Sequence, residues 1–128
     1  MNHLTPLQVI VCHDENVRRY GGLPGIVDPA KVEVLIERVR NYERYEGLSE
    51  VFAFAAMYCV AIARGHAFPD GNKRTAINCT YAFLKRNGVR TFVPKDLEEK
   101  IIKVAVGEMT AAGFADYLRS AFSEAASR

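Results

Sequence analysis

Val32, Leu35, Ile36 and Val39 recur at the i, i+3, i+4, i+7 spacing that lines one face of a helix. The Asp28-Pro29 pair just before them is a helix-start signal, a capping acceptor followed by proline at the first helical position. Thr5-Pro6 gives the same signal earlier and opens a helix to about Asn16. Between the two, Gly21-Gly22-Leu23-Pro24-Gly25 is a loop that no regular element tolerates. Tyr42 to Leu48 has no clear period and reads as a connection. Ser49 then caps a helix apolar on nearly every side: Val51, Phe52, Phe54, Met57, Tyr58, Val60 and Ile62, filled out with alanines. Such a helix belongs in the middle of a bundle, and it stops at Gly65, expected to take the left-handed conformation past its end.

A further helix starts after Asp70, presents Ile77, Tyr81 and Leu84 inward, and ends at Asn87-Gly88. Val89 to Val93 is β-branched enough for a short extended piece. Pro94 leads into a helix with Leu97, Ile101, Val104 and Ala105 inward. Thr110 caps the last one, whose stripe is Phe114, Tyr117, Leu118, Ala121 and Phe122. The expectation is an all-α fold: a compact bundle of about six helices around a buried central helix, with residues 1–128 as a single domain.

Composition narrows the function classes. The 128 residues are 49% hydrophobic and 25% charged, an ordinary globular balance rather than a disordered or fibrous one. A net charge of +2 is too even to predict direct nucleic-acid binding. The longest apolar run, Val51 to Ala63, is short of a membrane span, and the N-terminus does not read as a signal peptide. A cytoplasmic protein is the expectation. Cys12, Cys59 and Cys79 form no Cys-x-x-Cys pair and suit neither a disulfide framework nor a zinc site. Cys59 and Cys79 read as small buried hydrophobes.

Chemistry concentrates in one stretch, Arg64 to Thr75, where the apolar helix ends and the next begins. The first N–H groups of that next helix lack intrahelical partners, and its dipole is positive there. Gly71 allows close approach to the backbone. Lys73 and Arg74 are unfavourable against the dipole unless an anion offsets them, and phosphate is the obvious one. Asp70 has two readings that do not exclude each other. It is the helix cap, accepting from the N–H of Asn72 or Lys73, or it holds a Mg²⁺ that bridges nucleotide phosphates. His66 bonds to free carbonyls at a helix end or, beside a phosphate, takes the proton of an attacking hydroxyl. Phe68 plugs the loop into the core, and His66 with Asp70 lacks the further ligands zinc requires. His3 and His13 carry no assignment. The spacing from Gly65 to Lys73 is not that of a P-loop, and a helix rather than a strand precedes it.

The run His66-x-Phe68-x-Asp70-Gly71-Asn72-Lys73-Arg74 resembles the signature of the Fic/Doc superfamily in the variant typical of Doc toxins. The likeness extends to Arg19 through Gly25, to Arg64-Gly65, and to Leu84 through Gly88. AMP-transferring members usually read His-Pro-Phe and later Gly-Asn-Gly-Arg; here Ala67 follows the histidine and Lys73 replaces the second glycine. A lysine fills and charges the space where α- and β-phosphates lie against that glycine. The resemblance therefore implies a reversed ATP, its γ-phosphate at the helix start, and phosphoryl transfer rather than AMP transfer.

It further implies a toxin of a toxin–antitoxin system that modifies a threonine of elongation factor Tu and arrests translation. His66 is then the general base and Asp70 the Mg²⁺ ligand. Gly71 (through its backbone), Asn72, Lys73 and Arg74 form the nucleotide phosphate site, and Arg64 supports the site or the phosphates. Tyr42 to Leu48 corresponds to the flap that aligns the target. The Tyr42-Glu43-Arg44-Tyr45-Glu46-Gly47 run has only the ending of the family's inhibitory motif, so a separate Phd-like antitoxin is implied. The competing readings are AMP transfer to a protein hydroxyl and a non-catalytic module that blocks translation or binds the antitoxin.

Overall fold

The structure is a computed structural model that describes residues 1–25, 28–46 and 50–126, without the side chains of 43–46 and 123–126. Its described residues form six helices: α1 (Pro6–Tyr20), α2 (Pro29–Glu46), α3 (Val51–Gly65), α4 (Asn72–Arg86), α5 (Leu97–Val106) and α6 (Ala111–Ala126). The all-α expectation holds, and α3 is the central helix. It buries Phe52, Phe54, Ala55, Ala56, Tyr58, Cys59, Ile62 and Ala63, and packs on α2, α4, α5 and α6. Among the described residues α1 lies outside that ring, against α2 and α4. No helix among them is long and apolar enough to cross a membrane.

Several boundaries differ from the sequence expectation for physical reasons. Helix α1 continues past Asn16 to Tyr20 because its last turn carries Arg18 and Arg19 against the negative end of the dipole. Tyr42 to Glu46 is not a connection but the end of α2, and Gly47 to Ser49 lie outside the described residues. The Ser49 cap expected for α3 therefore falls there too; among the described residues Glu50 does that work, accepting from Phe52 N and Ala53 N. On α4, Ile77 and Tyr81 are only half-buried. The buried face is Thr75, Ala76, Cys79, Thr80, Phe83 and Leu84, because small side chains let α4 approach α3 closely. Residues 89–93 form no strand, since a lone extended segment has no ladder to join.

Two other start signals appear as expected. Thr5 and Gln8 make a reciprocal capping box at α1, and Thr110 Oγ1 accepts from Gly113 N at 3.0 Å at α6. The three cysteines are free; Cys59 and Cys79 are buried and Cys12 is half-buried. Burial pushes the Cys59 thiol up to about 12, the opposite of what a nucleophile needs.

Candidate active site

The turn between α3 and α4 begins with a backbone anomaly. Gly65 is the last helical residue of α3, and His66 takes the left-handed conformation at φ 51° and ψ 37°. This corrects the expectation for Gly65, whose small size serves another purpose: a Cβ there would collide with Leu35 of α2. His66 is the one non-glycine residue at positive φ among the described residues. A left-handed residue commonly ends a helix but is usually glycine, and a side chain there costs on the order of 1 kcal/mol. The imidazole it carries is exposed.

Ala67 and Phe68 then turn inward and are buried, so Phe68 is the plug expected. Its ring stacks on His13 of α1, with centroids 3.9 Å apart and planes 7° from parallel. The His13 Nε2 lies 2.8 Å from the Asp70 carbonyl oxygen. Asn72 Nδ2 donates to the Phe68 carbonyl at 2.9 Å, closing the turn from the α4 side.

Asp70 is not the cap of α4. Its Oδ1 accepts from Gly71 N at 2.8 Å and its Oδ2 from Leu23 N at 3.3 Å, so the carboxylate points back toward the glycine loop. Gly22 makes room for it, because a Cβ at that position would stand 2.9 Å from Asp70 Oδ2. The N-cap position is held by Gly71, left-handed at φ 77°, with no side-chain capping bond. The first N–H groups of α4 therefore meet no capping acceptor. Lys73 and Arg74 stand exposed on the same turn, and the Arg74 guanidinium lies 4.1 Å above the Tyr20 ring.

The structure thus gathers His66, Asp70, Gly71, Asn72, Lys73 and Arg74 on one turn. Arg64 points elsewhere: its Nε donates to Val104 O at 2.7 Å and its terminal nitrogen to Met109 O at 2.6 Å. These bonds tie the end of α3 to the end of α5 and the lead into α6. Such long-range partners could not be read from the sequence around Arg64. His13 and Leu23 were missed as well. The available signal was His13, Asn16 and Tyr20 recurring at i, i+3, i+7, a polar stripe on a helix that ought to bury that face.

The donor set suits Mg²⁺. Each Asp70 oxygen takes one N–H and retains a second acceptor direction, and the carboxylate is exposed. A hard cation that keeps water and phosphate oxygens needs only one or two such groups from the protein. No group of three or more His, Cys, Asp or Glu side chains converges among the described residues.

The Fic/DOC family profile matches residues 3–84, a stretch that contains the whole of this turn. The chain belongs to that family. It is also similar to a protein named "Protein kinase doc" from Escherichia phage P1. The two are 44% identical over 125 residues, which cover 98% of this chain and 99% of the phage protein.

Proposed function

We propose that the chain is a Doc-type toxin that moves the γ-phosphate of ATP to a threonine hydroxyl of elongation factor Tu in the cytoplasm. The observation that carries this is the first turn of α4, which starts without a side-chain cap and has Lys73 as its second residue. The near full-length similarity to a protein named as a kinase supports it. A glycine in place of Lys73 would open that turn to the α- and β-phosphates of an AMP donor; the lysine instead favours the more highly charged γ-phosphate.

In this reading the N–H groups of Asn72, Lys73 and Arg74 and the Lys73 ammonium hold the γ-phosphate. They stabilise its equatorial oxygens as charge redistributes in the transition state. His66 accepts the proton of the threonine hydroxyl as that oxygen bonds to the γ-phosphorus. The bond from phosphorus to the bridging β,γ-oxygen breaks and ADP leaves. Asp70 would hold Mg²⁺, which when bound neutralises charge on the phosphates. Asn72 supports the turn through the Phe68 carbonyl, and Arg64 anchors the end of α3 that leads into it through Val104 O and Met109 O. A Phd-like antitoxin belongs to the same proposal, as the restraint on a chain whose own Tyr42–Gly47 run lacks the inhibitory serine or threonine.

Incubation of the chain with elongation factor Tu and ATP labelled at either phosphate tests this. Label reaching the factor from the γ-position only is the expected result. Transfer from the α-position only makes the chain an AMP transferase, and no transfer from either position leaves a binding module.

A further inference from the structure

We propose that His13 is a positioning residue for the reaction proposed above, setting the Asp70-Gly71-Asn72 turn through a single hydrogen bond to the Asp70 carbonyl. This role rests on the kinase reading for its kinetic consequence but not for its structural one. His13 sits two turns along α1, far in sequence from the chemistry, and is fully buried. A carbonyl only accepts, so the Nε2 that meets Asp70 O at 2.8 Å carries the hydrogen. The ring's flat face is clamped on Phe68 at 3.9 Å, which leaves it little freedom to swing away. Gly71 passes so close that a Cβ there would touch the His13 ring at 3.6 Å.

The consequence follows from what the turn carries. Asp70 carries both the carbonyl that meets His13 and the carboxylate that accepts from Gly71 N and Leu23 N. Fixing the carbonyl therefore fixes the direction of the carboxylate and the left-handed Gly71 that leaves α4 uncapped. The same face of α1 continues the support. Asn16 Oδ1 accepts from Asn78 Nδ2 at 2.8 Å, and Tyr20 lies under the Arg74 guanidinium. Helix α1 thus grips α4 at its start and along its length, and His13 is the contact that reaches the turn itself.

Two variants separate the hydrogen bond from the packing. His13→Phe keeps a flat ring on Phe68 but donates nothing; His13→Gln keeps an N–H donor and loses the ring. Both should retain parental helicity by circular dichroism. In γ-phosphate transfer, His13→Phe should lower kcat about 10- to 100-fold, the scale for groups that orient a ligand-bearing residue, with KM for the protein target within about threefold. His13→Gln should recover most of that loss. Hydrogen exchange at the Gly71 amide, bonded to Asp70 Oδ1, should quicken in His13→Phe and return toward the parental rate in His13→Gln. A folded His13→Phe with parental kcat and parental Gly71 exchange overturns the proposal, and so does equal impairment in both variants. If the parental chain transfers no γ-phosphate, the kinase reading falls, and the Gly71 exchange then decides His13 by itself.

Discussion

Helices α3 and α4 are joined by residues 66–71 and packed side by side, yet their first turns are built on opposite terms. At α3, Glu50 accepts from Phe52 N at 3.0 Å and from Ala53 N at 2.8 Å, and Arg119 reaches the same carboxylate at 2.7 Å. At α4, the cap position is a glycine, the neighbouring carboxylate faces the other way, and the side chains that follow are cations. A good N-cap is worth about 1 kcal/mol, and a cation in the first turn subtracts a few tenths more. Helix α5 supplies the control: Asp96 makes no capping bond, but Glu98 and Glu99 put negative charge in its first turn. A missing cap alone is therefore unremarkable in this molecule. What distinguishes α4 is that positive charge is added where the donors are already free, which lowers local stability and preorganises an anion site.

The sharpest break of this contrast is at His66, which ends the well-formed helix and opens the turn to the uncapped one. His66→Gly should lower γ-phosphate transfer by ~10²–10⁴, the usual loss when a general base is removed. Melting temperature should hold or rise, since glycine takes the left-handed backbone without steric cost. Comparable activity in a folded glycine variant would remove His66 from the chemistry.

Next in size is Lys73. Replacing it with glycine takes one charge from the free end of α4 and should lower γ-transfer about 10²-fold, the scale of one preorganised donor. The same change relieves an unfavourable charge–dipole contact, so stability should be equal or slightly higher. Parallel assays with α- and γ-labelled ATP read the result; parental γ-transfer would make Lys73 a solvated surface cation.

Asp70 comes third, and the structure alters how its variant is read. Asparagine caps helices about as well as aspartate, but Asp70 caps nothing here; both its oxygens accept backbone N–H groups. Asp70→Asn turns an amide NH₂ toward one of those donors and also removes the charge a hard cation prefers. The Mg²⁺ concentration giving half-maximal transfer should rise about tenfold or more, within the range seen when metal-site groups are lost. An unchanged Mg²⁺ requirement with a lower melting temperature would make Asp70 a turn residue only.

The two helix starts also mark what could be read from the chain. The apolar wrap of α3, the Thr5 and Thr110 caps and the contiguous run from His66 to Arg74 are local signals, and each appears where the pattern places it. What was not legible shares a cause. A Cβ on Gly65 would collide with Leu35, Arg64 donates to the carbonyls of Val104 and Met109, and His13 meets the carbonyl of Asp70, all partners distant in sequence. Tyr42 to Glu46 lacked a period, yet it extends α2, so absence of a stripe did not mean absence of a helix.

The smallest effect belongs to the other side of the contrast, the capped start of α3. Burial raises the pKa of Glu50, but hydrogen bonds from Phe52 N–H, Arg119 and Ala53 N–H outweigh it and hold the carboxyl below its ordinary 4.5. The fold therefore favours the ionised form. That contribution is fully present above the ordinary value and is lost as pH falls through the lowered one. Glu50→Gln should lower the melting temperature by roughly 2–8 °C at neutral pH, on the scale of one cap in a domain of this size. The gap between parent and variant should narrow as the pH drops from about 5 to about 3, because the parent alone then loses its charge–donor contacts. Transfer activity at neutral pH should not change, since Glu50 lies at the far end of α3 from His66. A gap independent of pH would mean that Glu50 acts only through packing. A fall in transfer would mean that the two helix starts are coupled through α3 rather than built independently.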